Sequence, residues 1–451
     1  MSTGKKAFQV WRGRRQPGRL LLGAAILAFF MIVVPLADAV NANAATDMST
    51  LVNKLVNKGV LSQDDANTIL AQDGQSSGGN GKLPAWLKKL TISGDLRLRY
   101  EYLDVQDQST PAINRGRFRY RLQLADQVTK HVKVVFGIAS GGQGVLLSRS
   151  TNDNFGNGFQ GHLPRIDMVY AQITPSKTVN IAVGKFPNPI WTPTMLTWDG
   201  NIRPDGLAVM ITPPATGALD YFLNTDLFVL GAQMPPSGAE MPLMGVINPG
   251  VDLKFAQKDK IRLAAAYYIF DNIKRTYQYF NQLPANVNGI FHNVTGLNTS
   301  DSLDAKGNLL YNYNDFWFGA QADFGGLSTV VPYAGLYAEY INNPAPSSGN
   351  QGYIMGIKLG HAAVNKAGKW QINYNYRRLE RNAWLDIFPN ADIYFGSTNV
   401  EGNRAGFTYG LAKKMQAVVS YYNLKPIENL KPGDTANHTE NTVQVDWMME
   451  F

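Results

Sequence analysis

Arginine residues recur at every second position in two neighbouring stretches of the sequence. They are Arg97, Arg99, Arg115, Arg117, Arg119 and Arg121. Alternate side chains of an extended chain share one face, so each stretch predicts a row of guanidinium groups. Such a row attracts anions and donates hydrogen bonds to carboxylate or phosphate groups. Asp95 and Glu101 share that face, so an alternative is that the arginines pair with acidic residues and hold a wet interior together.

The residue types that catalysis or metal binding would use are sparse. Cysteine is absent, which excludes disulfides and thiol chemistry. His131, His162, His292, His361 and His438 are scattered and show no metal-ligand spacing. We therefore expect no metal, no cofactor and no enzymatic activity. A Ser/His pair that folding brings together would not be visible in the sequence, so a barrel hydrolase stays a third hypothesis.

The elements that must position the arginines are β-strands. In residues 90–102 apolar side chains at even positions alternate with polar ones at odd positions, and residues 117–124, 261–269, 369–379 and 404–411 repeat the pattern. A period of two predicts strands with one apolar and one wet face. Sixteen strands are predicted, at residues 90–102, 115–125, 132–140, 164–174, 178–186, 206–213, 218–231, 248–257, 260–271, 313–324, 329–342, 350–361, 367–379, 404–412, 415–424 and 440–451.

The links between these strands alternate between short and long. Short links such as 258–259 and 413–414 contrast with long ones such as 141–163, 187–205, 272–312 and 380–403. Bacterial outer-membrane barrels combine an even number of strands with short periplasmic turns and long external loops. The sequence therefore predicts an all-β fold, a transmembrane antiparallel β-barrel of about 16 strands over residues 90–451. Its wet face would line the lumen, which makes the alternating arginines candidate pore-lining residues.

The long link at residues 187–205 is a candidate constriction of the lumen. It follows the fifth predicted strand, where sixteen-stranded outer-membrane barrels resemble one another in folding a loop inward, and its prolines would stiffen it. Tryptophan could pin it to the inner wall, and charged residues could set the charge at the narrowing. An alternative is a surface loop that packs over the rim. The candidate residues are Trp191, Asp199, Arg203 and Asp205.

Two aromatic residues, Tyr268 and Trp317, also point to the wet face by parity. Aromatic side chains along the lumen are what a sugar channel would use, so they keep a sugar channel open as an alternative.

The last ten residues form an amphipathic strand with an aromatic end. Val443, Val445, Trp447, Met449 and Phe451 share one face of residues 442–451. A strand that ends in a free aromatic carboxy terminus resembles the signature by which the outer-membrane assembly machinery recognises barrels. Trp447 and Phe451 are thus the candidate assembly signal.

The region before the barrel divides into three predicted segments. Residues 1–44 combine a basic start, an apolar centre and small-residue cleavage sites, as a signal peptide does, although a retained transmembrane anchor is an alternative. This segment holds six of the 42 Lys and Arg residues and one of the 34 Asp and Glu residues, so the remaining chain would carry +3 instead of +8. That balance removes the case for a nucleic-acid partner. Residues 45–75 predict a short periplasmic helical segment, and residues 76–89 a Gly/Ser-rich linker.

Three stretches resemble the bacterial putative porin family of outer-membrane barrels. They are the helical segment 51–62 (LVNKLVNKGVLS), the strand-loop-strand region 183–191 (VGKFPNPIW) with 197–207 (TWDGNIRPDGL), and residues 396–402 (GSTNVEG) with 406–410 (GFTYG). Residues 230–350 add little to the likeness. The resemblance implies a passive or weakly selective channel and does not fix a solute.

Taken together, these features predict an outer-membrane porin that lets small hydrophilic solutes diffuse, with a mild preference for anions. Its expected partners are outer-membrane lipids, the outer-membrane assembly machinery, its solutes and two further copies in a homotrimer. The alternative is a structural outer-membrane protein whose N-terminal helix attaches to periplasmic or cell-wall partners.

Overall fold

The computed structural model describes residues 64, 67, 90–106, 111–141, 149–156, 158–159, 161–215, 217–230, 241–275, 301–302, 304, 309–428 and 439–451. Asp64 and Asn67 are helical and exposed. The rest of the predicted signal peptide, helical segment and linker lies outside the described residues. No helix in the described part of the chain is long and apolar enough to cross a membrane.

Sixteen long strands and one two-residue strand make up a single sheet. They are β1 (Thr91–Val105), β2 (Ile113–Thr129), β3 (Val132–Ala139), β4 (Asp153–Asn154), β5 (Arg165–Ile173), β6 (Val179–Lys185), β7 (Asp205–Ile211), β8 (Leu219–Val229), β9 (Leu243–Ala256), β10 (Asp259–Asp271), β11 (Phe316–Gly325), β12 (Tyr333–Asn342), β13 (Gln351–Gly360), β14 (Trp370–Leu379), β15 (Val400–Ala412), β16 (Met415–Pro426) and β17 (Glu440–Glu450). Short 3-10 helices cover Ile273–Arg275 and Tyr394–Gly396.

The sheet closes on itself through its first and last strands. Each long strand pairs antiparallel with its neighbours in the chain, and β1 pairs with both β2 and β17. The closing register places Asp95 opposite Glu450 and Val105 opposite Glu440. Closure leaves none of the long strands described here with an unpaired edge, as a barrel in a bilayer requires. The predicted sixteen-stranded antiparallel barrel is confirmed.

The alternating pattern of the sequence separates an outer from an inner face. In β12, Leu336 and Tyr340 are exposed, whereas Tyr337 and Ile341 are buried. The exposed apolar side chains on the strands form the surface that faces lipid, because alternate residues of a barrel strand face lipid and lumen.

The links also separate into two sets. Seven links, which follow β2, β5, β7, β9, β11, β13 and β15, are two to nine residues long. The longest links lie at the opposite end, at residues 140–164, 186–204, 272–315 and 380–399. Several strand boundaries differ from their predictions. β9 begins at Leu243 and not at residue 248, β12 at Tyr333 and not at residue 329, and β15 at Val400 and not at residue 404. β9 and β15 begin early because Leu243 pairs with Val229 of β8 and Val400 pairs with Leu379 of β14, which extends both ladders into predicted loops.

A hydrophobic core lies inside the barrel. Inner-face residues of the strands, among them Phe228, Tyr268 and Trp317, are at most 1% exposed. They belong to one buried cluster with side chains from three links, among them Leu196, Trp198, Tyr313 and Trp384. Part of the lumen is therefore packed like a protein interior, and only the remainder can hold water.

Candidate functional site

The six alternating arginines lie on β1 and β2, with their side chains on the inner face. The register sets Arg97 opposite Arg119 and Arg99 opposite Arg117. Antiparallel neighbours on one face stand close enough to interact, so these four guanidinium groups form one row, and Arg115 and Arg121 extend it. We call the six residues the arginine ladder.

Four carboxylates neutralise most of the ladder. Asp95 accepts hydrogen bonds from Arg119 at 2.7 Å and from Arg121 at 2.6 Å. Glu101 binds Arg115 at 2.5 Å and Arg117 at 3.3 Å. Four of the six arginines thus pair with these two carboxylates, which supports the pairing alternative for most of the ladder.

Arg99 has the most complete set of partners in the ladder. Its Nε and Nη2 donate to the two carboxylate oxygens of Asp446 at 2.6 and 2.8 Å, and its Nη1 donates to Asp392 at 2.7 Å. Arg97, by contrast, donates to the neutral amide of Asn152. With Asp95, Glu101, Asp392 and Asp446 counted, the ladder keeps an excess of two positive charges.

Residues 186–204 between β6 and β7 fold into the barrel, and we call them the first inward loop. The Trp198 ring packs against Phe388 at 4.7 Å, Trp384 at 5.5 Å and Tyr268 at 6.2 Å between ring centroids. The Trp198 Nε1 donates to the Tyr268 hydroxyl at 3.1 Å. Since Tyr268 belongs to the inner face of β10, the loop crosses the interior and contacts the wall.

Residues 380–399 between β14 and β15 form a second inward loop, which the sequence pattern predicted only as one of the long external links. Trp384 Nε1 donates to the Thr197 carbonyl at 2.7 Å, and the Asp199 amide donates to the Phe388 carbonyl at 2.8 Å. A signal was present in the sequence, because Trp384, Phe388 and other apolar residues are dense here for an exposed loop.

A third link joins these two loops through Arg149. Its Nη1 donates to the carbonyls of Asp386 and Gly396, and its own carbonyl accepts from Asn201 Nδ2 at 3.2 Å. Gly396 has a φ of 82°, and a Cβ there would meet the Arg149 guanidinium at 2.6 Å. Glycine is required here for both reasons.

Two aspartates of the inward loops differ in their electrostatic surroundings. Burial raises the pKa of Asp199, and the amides of Ala391 and Asn201 that donate to its carboxylate oppose the rise only in part. Burial alone would also raise the pKa of Asp392, but the positive charges of Arg99 and its neighbours Arg97 and Arg117 outweigh it and hold that pKa well below the ordinary value. Asp392 is therefore a carboxylate at any pH above its ordinary range.

A cavity of about 600 Å³ remains between the first inward loop and the inner faces of β12–β15. The loop contributes Ile190, Met195 and Arg203 to its lining. The strands contribute mostly cations and amides, namely Lys358, Gln371, Asn373, Asn375, Arg377 and Arg404. The strand side of this space beside the packed core is therefore polar and basic.

The structure places the candidate constriction residues in different surroundings. Trp191 is half-buried, its amide donates to Asn248 at 3.2 Å, and its ring lies 6.2 Å from Trp317. Asp199 is buried, with its carboxylate occupied by backbone amides. Arg203 pairs with Asp167 at 3.3 Å and lines the cavity. Asp205 begins β7 on the same face as the exposed Leu207, so it points away from the lumen and pairs with Lys185 at 2.9 Å.

The two aromatic residues of the sugar-channel alternative, Tyr268 and Trp317, do lie on the inner face, but both are 0% exposed within the core. Neither offers a ring to the open lumen. The described part of the chain also brings no three His, Asp or Glu side chains together in a way that could hold a metal ion.

The carboxy-terminal residue lies at the seam where the barrel closes. The amide of Phe451 donates to the Gly94 carbonyl at 3.0 Å, and its ring stacks on Tyr120 at 6.0 Å. The ring covers Gly94, where a Cβ would meet it at 2.5 Å. Trp447 lies on β17 opposite Leu98 of β1, across the same seam. Sequence reasoning did not identify Gly94, whose role depends on a strand from the other end of the chain.

Comparisons with known proteins agree with this architecture. A family model described as a putative porin matches residues 103–342 and 308–451. A search of curated proteins finds no match. Among solved structures, Pseudomonas putida OprB at high pH is 10% identical with a TM-score of 0.50, and the match covers 81% of this chain and 94% of that one.

A triple mutant of the Rhodopseudomonas blastica porin is 12% identical with a TM-score of 0.41, and the match covers 80% of this chain and 100% of that one. At such identities, likeness to solved structures concerns the fold alone. The family match extends over most of the barrel, and the closed sixteen-stranded sheet agrees with it. The chain therefore belongs to the putative porin family, a channel-forming β-barrel of the bacterial outer membrane.

Proposed function

We propose that this porin conducts small hydrophilic solutes by passive diffusion and favours anions over cations. The observation that carries the preference is the excess of cations over carboxylates on the inner face of the barrel. On one wall the arginine ladder exceeds its four carboxylate partners by two charges. Basic side chains that line a pore attract anions and repel cations.

The cavity beside β12–β15 supports the same sign of selectivity. Lys358, Arg377 and Arg404 line it, and among the described residues none of these three has a carboxylate oxygen within 4.0 Å. Of the described residues that line the cavity, Asp199 contributes the one carboxylate, and backbone amides occupy its oxygens. Unneutralised charge in a confined space is screened less than charge at an open surface, so these cations act on passing ions.

Reconstitution of the full chain in a planar bilayer tests the proposal. Under a KCl gradient, we expect stepwise conductance and a reversal potential of the sign that chloride permeation produces. Lys358→Gln should move the reversal potential towards zero. Lys425→Gln is the matched control, because Lys425 is exposed on the outer face and paired with Glu401, and it should change nothing. Absence of conductance would contradict the channel in this form, and a reversal potential of the opposite sign would contradict the anion preference.

The homotrimer and the contacts with lipids and with the assembly machinery stay predictions. The structural alternative depends on residues 45–75, of which only Asp64 and Asn67 are described. Deleting residues 46–75 tests it, since a porin should still conduct and an attachment protein should lose its attachment.

A further inference from the structure

The strand side of the cavity holds two cations whose hydrogen-bonding capacity is not used up. Arg404 donates to Asn373 at 3.1 Å, to the Tyr422 hydroxyl at 3.2 Å and to Ser420 at 3.1 Å, all of them neutral acceptors. A guanidinium has five N–H donors, so two remain. Lys358 has no hydrogen-bond acceptor among the described residues, and its Nζ lies 5.0 Å from the centroid of the Tyr337 ring.

The register of the strands holds these two cations on neighbouring parts of one wall. Lys358 on β13 lies opposite Asn373 on β14, and Asn373 in turn lies opposite Gly406 on β15. Arg404 is two residues from Gly406 on the same face and reaches Asn373 through its Nη1. Adjacent strands are about 4.8 Å apart, so an anion of two or three atoms above Asn373 can contact both cations.

Glycine makes room for this arrangement. Gly356 lies on the inner face of β13, and a Cβ there would meet the Tyr337 ring at 2.4 Å. The ring therefore lies flat against the wall where any other residue would push it into the cavity. Tyr337 also accepts a hydrogen bond from Asn375 at 3.1 Å, which holds the ring in place.

The cavity is also bordered by apolar side chains, which chloride would not require, beside polar loop residues such as Thr192, Thr194 and Asp199. Ile190, Pro193 and Met195 of the first inward loop line it, together with Ile354 of β13 and Ile393 of the second inward loop. The volume of about 600 Å³ lies in the range of roughly 300–1,000 Å³ that is usual for small-molecule sites. Cations and amides together with a group of aliphatic side chains suit a solute with a charged head and an apolar body.

We propose that this cavity is a binding site for small organic carboxylates on their way through the channel. The carboxylate binds Lys358 and Arg404, and the apolar body lies against Ile354 and Met195. The inference rests on the proposed function, because the solute must enter an open anion-preferring lumen. It adds to the proposed function a chemical class of solute and a binding site for that solute in the lumen.

Interruption of the chloride current by hexanoate tests the site. The full-length porin in a planar bilayer is first characterised in KCl alone, and then hexanoate, hexanamide or inorganic phosphate is added. We expect hexanoate to interrupt the current at concentrations at least tenfold below those of hexanamide, which lacks the charge, and of phosphate, which lacks the apolar body. A tenfold ratio corresponds to about 1.4 kcal/mol.

Two variants separate the charged and the apolar parts of the site. Lys358→Gln should weaken the hexanoate block about tenfold and move the reversal potential in KCl towards zero, and Met195→Ala should weaken the block because the apolar body loses a contact. Lys425→Gln should alter neither quantity. Heat-modifiable gel mobility shows whether each variant forms the folded barrel. If one of the two variants does not fold, the other still tests the site.

The outcomes distinguish the two proposals. An anion-preferring channel that hexanoate leaves open, or that phosphate or hexanamide blocks equally well, overturns the carboxylate site and leaves the proposed function standing. A hexanoate block that neither variant weakens places the site elsewhere and overturns the assignment. A channel without anion preference in KCl alone contradicts the proposed function before any hexanoate is added.

Discussion

Replacing Asp392 by Asn removes one negative charge from the contact between the second inward loop and the arginine ladder. Asp392 accepts a hydrogen bond from Arg99 at 2.7 Å, and their side chains are 17% and 4% exposed. Breaking a buried ion pair from one side costs roughly 3–5 kcal/mol. Arg99 keeps both hydrogen bonds to Asp446, so we expect the lower end, about 3 kcal/mol of unfolding free energy.

The pH dependence of this cost has a definite sign. The pKa of Asp392 in the folded protein is held below its ordinary value because Arg99, Arg97 and Arg117 outweigh the effect of burial. A carboxylate of this kind contributes stability above its unfolded pKa of about 3.9, and the contribution is lost as the pH falls below that value. The gap between wild type and Asp392→Asn should therefore be complete at pH 7 and shrink progressively below about pH 4.

Urea unfolding of the barrel in lipid vesicles, followed by tryptophan fluorescence and gel mobility, measures this gap. Asp271→Asn is the matched control, since Asp271 is exposed and has no ion pair among the described residues, and its midpoint should equal that of wild type. Asp392→Asn should also strengthen the anion preference in a KCl gradient, because the ladder gains net positive charge. Equal midpoints for Asp392→Asn and wild type at pH 7, or a gap that does not change with pH, would refute the reasoning.

Three further predictions concern packing. Trp384→Ala removes a ring that contacts Tyr268 at 4.6 Å and a hydrogen bond to Thr197, so it should lower the free energy of unfolding by about 3–5 kcal/mol. It should also give a larger, noisier single-channel conductance, and an unchanged conductance would contradict the role of the core. Gly356→Ala should lower the free energy of unfolding in urea by roughly 1–3 kcal/mol, because the added Cβ displaces Tyr337. Gly217→Ala is the control and should change nothing, because a Cβ there meets open space, and equal effects of the two variants would refute the explanation. Phe451→Ala should lower stability by about 1 kcal/mol, because its ring is 48% exposed, and reduce the heat-modifiable fraction in cell membranes; an undiminished fraction would contradict its assembly role.

The sequence by itself was sufficient for the class of fold. A period of two over many segments determines which side chains face lipid, and the alternation of short and long links determines that the strands form an up-and-down barrel. These are local properties, so the alternation alone assigns Arg97, Arg99 and the arginines of β2 to one inner wall. The aromatic terminal strand was recognisable for the same reason.

The tertiary structure decided how the lumen is filled. Asp392 reaches Arg99 across almost 300 positions of the chain, and Trp384 reaches Thr197 from another loop, so no local pattern could show that the second inward loop packs on the first. Parity placed Tyr268 and Trp317 on the wet face, yet burial by these loops makes them core residues. Whether a basic side chain is neutralised also depends on its partners. Four carboxylates neutralise most of the ladder. Lys358 and Arg404, which no sequence pattern distinguished, face the cavity without a paired carboxylate among the described residues. Alternation along a strand is a property of the backbone, but pairing across a lumen depends on long-range contacts that only the folded chain brings together.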